Sequence, residues 1–356
     1  MNAPEPFRRT GKDLVPFPLK LEEGNSFKRL MTASVLAKIK KTTPLAEAAR
    51  LWPSDDFVQR AASAPAMTGT AGWASDLAHK VIKDALEGMG PAAAGAQLLL
   101  KSLVLAWDGN AQISAPGFVA GAGNAGFVQE GSPIPVRQLT STAALLQPFK
   151  LAALGVLSRT MIDSSNAEQL VGDVLMRSAS AALDVGLFSM SAATASTPAG
   201  IRYNVAALTA SAVVDTFGAI PEDISNLVNA VTPVGGGGPF VLIGSPGRIA
   251  GMVTRFAMVE GAANIYFASS PAVGNDLLCV APNAIVCALS PVPDVGASVV
   301  GELHMSDTPQ AITNGGVATP ARSLFQTDSI GLKMRWPVSW AVRDSRAVAW
   351  VTPAWK

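Results

Sequence analysis

Residues 330–343 alternate between two kinds of side chain with the two-residue period of a β-strand, and this run constrains the fold more than any other stretch. Ile330, Leu332, Met334, Trp336, Val338, Trp340 and Val342 form an apolar row, interleaved with Gly331, Lys333, Arg335, Pro337, Ser339, Ala341 and Arg343. Successive side chains of a strand point to opposite faces, so one face is expected to be buried and the other wet. Such a strand must lie in a sheet, and its apolar row must be covered by another layer. Pro337 has no N–H to give to a ladder, which predicts an edge position or a bulge there. A turn at Asp344 and Ser345, followed by the apolar run AVAWV, predicts a terminal hairpin.

The covering layer is expected from a long amphipathic helix. Ser165 followed three residues later by Glu168 reads as a capping box. Leu170, Val171, Val174, Leu175, Ala181, Ala182, Val185 and Phe188 then keep helical spacing, with Ser178 as the polar member of the stripe and Asp173 and Arg177 spaced as an exposed pair. The terminal hairpin is expected to pack on this helix.

Elsewhere the chain changes character several times. Residues 1–26 are Pro-rich and aperiodic, and read as an extended arm. Phe27–Lys41, Pro44–Trp52, Asp55–Ala64 and Ser75–Glu87 read as helices, the last with a stripe of Leu77, Val81, Ile82 and Ala85 and with His79 beside it. Residues 102–142 carry short β-like runs rich in Gly and Pro, a pattern that predicts a two-armed hairpin with its tip near Gly121–Gly126. From Ile201 to Pro320 helix and strand signals alternate. Pro221 is expected to open a helix with Ile224, Leu227, Val228 and Val231 inward, ended by Gly235–Gly238. The strand PFVLIG follows, then a helix begun by Ser245 and Pro246, then strands around IYFAS, DLLCVA and AIVCAL.

Composition bears on association. Residues of the AVILMFWYC set make up 49% of the chain and charged residues only 15%, which leaves little polar covering for a lone subunit. Burial against other copies of the chain is expected. The uncharged stretches Ile224–Gly247 and Leu277–Pro293 are broken by Pro, Asn and Gly, so neither reads as a membrane span of about 20 apolar residues. No secretory signal is visible at the start, and a cytoplasmic site of synthesis is expected. Charge is unevenly spread: residues 1–50 hold ten Lys and Arg against five Asp and Glu, while between Tyr203 and Ala321 only Arg248 and Arg255 oppose eight acids. The basic segment suits solvated helix surface or contact with nucleic acid or an acidic partner.

Signals for chemistry are weak. GAGNAG at Gly121–Gly126 matches a dinucleotide-binding pattern in letters, but Pro133 and Pro135 stand where the helix is required. IGSPG around Ser245 lacks the first glycine of a nucleophile elbow, and a triad there would have to use His79 or His304, the only histidines. Cys279 and Cys287 flank Pro282-Asn283 symmetrically, which suggests a hairpin with facing thiols, although two buried small hydrophobes are the expected outcome. No catalytic, cofactor-binding or metal-binding residue is assigned, and no enzyme activity is expected.

In the order of its parts the chain resembles the Hong Kong 97-type major capsid proteins of tailed bacteriophages and prophages. The matching stretches are FVQEGSPIPVRQLTSTAALLQPFKLAALGVLSRTMIDSSNAEQLVGDVLMRSASAALDVGLF, then Pro198-Ala199-Gly200-Ile201, then SIGLKMRWPVSWAVRDSRAVAWV, within a resemblance covering residues 67–353. The resemblance implies an α+β capsid fold with an N-terminal arm (67–101), an extended β-hairpin loop (102–147), a peripheral domain with a long spine helix (148–202 and 321–356, spine helix 165–191) and an α/β axial domain (203–320). Residues 1–66 would be a helical arm or a scaffolding segment. It also implies self-assembly into pentamers and hexamers of an icosahedral shell around double-stranded DNA, in the virion and built in the host bacterial cytoplasm, with portal and scaffold or protease proteins as partners and no membrane. Some relatives join subunits by a bond between a Lys on the extended loop and an Asn near the C-terminus. Here no Lys lies between Lys101 and Lys150, and the last Asn is Asn314, so non-covalent assembly is expected. The resemblance extends to encapsulins and gene transfer agents, whose shells use the same fold. A tail protein and an α/β nucleotide-binding enzyme are the more distant alternatives.

Overall fold

The computed structural model describes residues 25–53, 55, 58–59, 73–90, 93–107, 112–117, 127–128, 130, 144–160, 167–213, 215–256, 264–291, 293–304 and 321–355. The Gly-rich tip at 121–126, the Ser165 cap and much of the expected helix at 55–64 lie outside them.

The alternating C-terminal run forms the organising strand, here β12 (Ser329–Val342). Along one side it pairs antiparallel with β4 (Phe149–Ser158) from Ser329↔Ser158 to Val338↔Phe149. Along the other it pairs first with β9 (Asp294–Ser298) and then with β8 (Ile285–Leu289), and β8 pairs parallel with β1 (Leu103–Ala106). The result is a five-stranded sheet with β12 at its centre. Pro337 therefore does not mark an edge. Partners Gly331–Arg335 face β9 and Val338–Val342 face β8, so Pro337 sits where one neighbour gives way to the next. Its carbonyl accepts the Ser290 N–H at 3.0 Å on that side, and a strand residue's N and O point the same way, so the missing N–H faces the gap and no ladder bond is lost.

Helices cover the apolar row. α1 (Asn25–Lys40), α2 (Pro44–Leu51), α3 (Trp73–Met89), α4 (Ala94–Leu100) and α5 (Ala167–Leu187) all precede the second half of the chain. Leu30, Met31, Val35 and Leu36 of α1, Val81, Ile82 and Leu86 of α3, and Leu175, Met176, Leu183 and Leu187 of α5 share one core with Leu332, Met334 and Trp336 of β12. Residues 25–51 are thus drawn into the main core, although their composition set them apart as part of an arm. The long helix ends at Leu187, four residues before the expected Phe188–Ser191 region closes, because Ile201 donates back to the Leu187 carbonyl at 2.9 Å and Gly200 to Ser191 at 3.1 Å. Gly186 lets β12 approach: a Cβ there would lie 3.3 Å from the Trp340 ring.

A second sheet, ordered β13-β7-β5-β6, stands beside the first. It contains β5 (Phe240–Gly244), β6 (Ile265–Ser269), β7 (Leu277–Val280) and β13 (Val348–Val351). α6 (Thr216–Gly235) lays Ala219, Ile220, Leu227, Val231 and Val234 on this sheet, and α7 (Pro246–Phe256) adds Ile249 and Met252. α6 begins five residues before Pro221, which lies inside it at the cost of one donor to the Phe217 carbonyl.

Two corrections follow from the pairing. The terminal hairpin does not form: β12 lies in the first sheet, whereas β13 pairs with β7 in the second, joined by a short 3-10 turn at Ser345–Ala347. Nor do Cys279 and Cys287 face each other across a hairpin, since β7 and β8 belong to different sheets. The chain leaves one sheet through the 3-10 turn Pro282–Ala284 and enters the other. The sheet boundary also cuts across the expected 203–320 unit, because β8 and β9 pair with β12 while β13 completes the other sheet.

Candidate assembly surfaces

The chemistry-bearing motifs do not converge. Ser245 stands between β5 and α7, where its carbonyl accepts the Ile249 N–H at 3.0 Å, the backbone bond of a helix start. His304 lies on β10 (Glu302–His304), which pairs only with β11 (Ala321–Ser323) in a separate ribbon, and no hydrogen bond joins it to Ser245. Among the described residues no group of three His, Cys, Asp or Glu side chains is placed to hold a metal, and no helix is long and apolar enough to cross a membrane. Burial pushes both Cys279 and Cys287 up to about 12, so neither offers a thiolate near neutrality.

One buried carboxylate escaped the hydrophobic reading. Asp184 of α5 is only 3% exposed. Its Oδ1 accepts the Gly95 N–H at 2.8 Å and its Oδ2 the Ala94 N–H at 3.2 Å, which caps α4, a helix whose own N-cap residue, Ala93, gives no side-chain bond. The Ser270 hydroxyl also bonds this carboxylate, while Ser270 Oγ accepts the Ala272 N–H at 3.2 Å. One carboxylate therefore ties α5, the start of α4 and the turn after β6. Burial raises its pKa above the ordinary 3.8, against the pull of these hydrogen bonds. The inward face of α5 is accordingly Leu175, Met176, Ala179, Ser180, Leu183, Asp184 and Leu187, and three members of the expected stripe, Ala181, Ala182 and Val185, face outward.

Several apolar groups stand exposed among the described residues. On α5 the outward Val185 is 64% exposed, and Met190 follows it. β4 pairs with β12 alone among the described strands, so its ten-residue outer edge is open, with Leu154 and Ala152 turned outward. Val300 and Phe325 are 71% and 79% exposed on two turns held together by the Leu324 N–H bond to the Gly301 carbonyl. An open, apolar edge of this length is a template for pairing with another chain, and single proteins usually blunt it.

A two-stranded ribbon lies against the main sheet. β2 (Ile113–Ala115) and β3 (Ala144–Leu146) pair antiparallel from Ile113↔Leu146 to Ala115↔Ala144, closing a loop of residues 116–143. SLVLAW is not one of its arms; β1 joins the main sheet instead. Ala115 and Leu146 pack with Trp107, Val286 and Ala288 on the face of β8 opposite Cys287. That explains the unbroken apolar run of β8, which is buried on both faces. Arg343 adds a 2.7 Å bond from Nε to the Pro116 carbonyl. Beyond this anchored base, Phe127 is exposed.

The C-terminal stretch fastens the second sheet. Trp350 Nε1 donates to the Val205 carbonyl and Trp355 Nε1 to Asp223 Oδ2, at 2.9 and 2.8 Å. Arg202 stacks over Trp350 and pairs with Asp276, and Arg248 stacks over Trp355.

No family model matches this chain, and no curated protein matches it. Solved structures do. A chain from Mycobacterium phage Cain has a TM-score of 0.50 at 15% identity, over 74% of this chain and 90% of that chain. A chain from Mycobacterium phage Adephagia has a TM-score of 0.48 at 15% identity, over 74% and 91%. One from the satellite phage P4 procapsid that includes the size determination (Sid) protein has 0.47 at 10% identity, over 76% and 90%. At 15% identity the likeness to the Cain phage chain concerns the fold, and at that level it bears out the resemblance drawn from the residues.

Proposed function

We propose that this chain is the major capsid protein of a tailed bacteriophage or prophage, a structural subunit that assembles without covalent cross-links into pentamers and hexamers of an icosahedral shell around double-stranded DNA. The observation that carries the proposal is the fold shared with the Cain phage chain over nine-tenths of that chain's length. The uncovered surfaces support it. An open ten-residue edge on β4, an apolar outer face on α5 and the Val300–Phe325 corner are suited to burial against neighbouring copies. The ribbon built on β2 and β3 fits the extended loop expected at 102–147, less β1, laid across an adjacent subunit, since a two-stranded ribbon has too little core to stand alone.

In this reading α1, α2, α5 and the β12 sheet form the peripheral domain, and the sheet of β5, β6, β7 and β13 with α6 and α7 forms the axial domain near the capsomer centre. The arm is 67–101. Because α1 supplies Leu30, Met31, Val35 and Leu36 to the core, residues 25–53 stay in the finished shell and a removable scaffolding piece is confined to residues 1–24. Portal and protease proteins are expected partners, and no step of catalysis is assigned to the chain. Sedimentation of the purified full chain tests the proposal. Capsomer-sized and shell-sized species are expected, and replacing Phe325 and Val300 together by Ser should shift the distribution toward smaller species. A concentration-independent monomer would count against assembly.

A further inference from the structure

The charge of this chain is concentrated on one helical corner. Residues 1–24 hold four basic and four acidic side chains, so the excess of residues 1–50 lies wholly in α1, α2 and the turn between them: six Lys and Arg against Glu47 alone over residues 25–53, a net +5. The whole chain is +1, so the remainder is −4. Lys38, Lys40, Lys41 and Arg50 are all exposed, and they gather where α1 turns into α2. Their proximity is fixed by Glu47, whose Oε2 binds Lys40 Nζ at 3.4 Å and Arg50 at 2.8 Å. That one buried carboxylate is shared by two cations, and among the described residues no acid pairs with Lys38 or Lys41.

Favourable placement of cations at a helix C-terminus accounts for Lys38 and Lys40, which lie in the last turn of α1. It does not account for Lys41. That residue lies beyond the helix with φ 54°, the left-handed conformation that glycine or asparagine adopts with less strain. A strained, exposed lysine beside three other cations is a feature with a cost to folding and, among the described residues, no partner. The cleft of about 330 Å³ next to the corner is walled by Asp294 opposite Lys38, so an anion is met on the outer corner and not inside the cleft.

We propose that the corner formed by Lys38, Lys40, Lys41 and Arg50 is a sequence-independent contact for the phosphate backbone of double-stranded DNA. The proposal rests on the shell reading for its setting, in which the chain encloses double-stranded DNA. A cluster of four cations is complementary in charge to a duplex that carries a phosphate charge about every 1.7 Å of its axis.

The test uses the full chain and a fluorescent random-sequence DNA duplex, with affinity followed by anisotropy from about 50 to 200 mM salt. The variants are Lys38→Gln with Lys41→Gln, and Lys41→Gly alone; both leave the Glu47 pairs intact. Each phosphate contact adds about 0.9 to the slope of log K against log salt, so the double variant should be shallower than the native chain by about 1.8. Lys41→Gly should bind DNA more weakly while melting no lower, because it relieves the left-handed strain. Equal slopes for native and double-variant protein overturn the proposal. So does competition by polyglutamate with unchanged DNA binding in the variants, which would assign the corner to an acidic protein surface. Electron microscopy of the same samples separates the two readings: shells with equal slopes remove the DNA contact alone, whereas a DNA slope that depends on Lys38 and Lys41 without shells removes the shell setting alone.

Discussion

Replacing Asp184 with Ala should loosen one region before it unfolds the rest. The substitution removes the acceptor of the Ala94 and Gly95 N–H groups, at 3.2 and 2.8 Å, and the partner of Ser270, all at a site closed to water. Losing a helix cap costs about 1 kcal/mol. Each buried N–H left without a partner adds about 1–3 kcal/mol. Release of a carboxylate from an unfavourable buried site offsets part of this, so a net loss of about 3 kcal/mol is expected. With a urea m-value of about 3 kcal/mol per molar, the unfolding midpoint should fall by about 1 M. Asn keeps one acceptor oxygen and turns its amide toward a second donor, so Asp184→Asn should fall between Ala and the native residue. Hydrogen exchange supplies the local readout: amides of α4 should lose protection while those of β12 keep theirs. An Ala variant with the native midpoint and native protection of Ala94 and Gly95 would show that the carboxylate does not hold α4. The pH dependence has a definite sign. A folded pKa raised above 3.8 means the folded state binds the proton more tightly, so this group's contribution is fullest below pH 3.8 and is lost as pH rises toward its folded value. The stability of the native protein relative to Asp184→Asn should therefore grow on acidification through that window.

Four further outcomes are expected. Gly95→Ala would place a Cβ 2.8 Å from Asp184 Oδ1 and 3.0 Å from Leu187 Cδ2, and should cost about 1–3 kcal/mol in urea unfolding; no loss would mean that the carboxylate moves freely. Removing residues 1–24 should leave a soluble protein of native stability, whereas removal through residue 53 uncovers Leu30, Met31, Val35 and Leu36 and should give aggregates; equal solubility would detach α1 from the core. Cys279 and Cys287, pushed up to about 12 by burial, should resist maleimide at pH 8 in the native protein and react on denaturation, while rapid native labelling would contradict their burial. Boiled particles should run in SDS as free subunits, and a ladder of covalent multimers would overturn non-covalent assembly.

Local pattern made the individual elements legible, but pairing decided their neighbours. The alternation of 330–342 gave β12, and the apolar stripes gave α6 and α7 with the inward Leu227, Val231, Ile249 and Met252. Nothing local states that β8 and β13 join different sheets, because each short apolar run is compatible with either partner and tertiary packing selects one. The same limit produced the expected terminal hairpin and the alternative of a thiol hairpin, whereas the expected burial of both cysteines holds. α4 was missed since Ala93 offers no cap, and the cap comes from Asp184 in another helix. Asp184 carries no apolar signal, so the apolar stripe of α5 reads onto Ala181, Ala182 and Val185, which face outward. Pro337 misled for a related reason: its missing donor matters only on the side it faces, and that side is set by where β9 ends and β8 begins. The assembly surfaces were legible only as a general shortage of charge, because which apolar residues remain uncovered depends on the completed packing.

Electron microscopy of the purified full chain tests the central claim most directly. Closed shells, or separate five- and six-fold capsomers, are the predicted result. Isolated monomers or dimers, or open tubes and rings in place of closed shells, would contradict it.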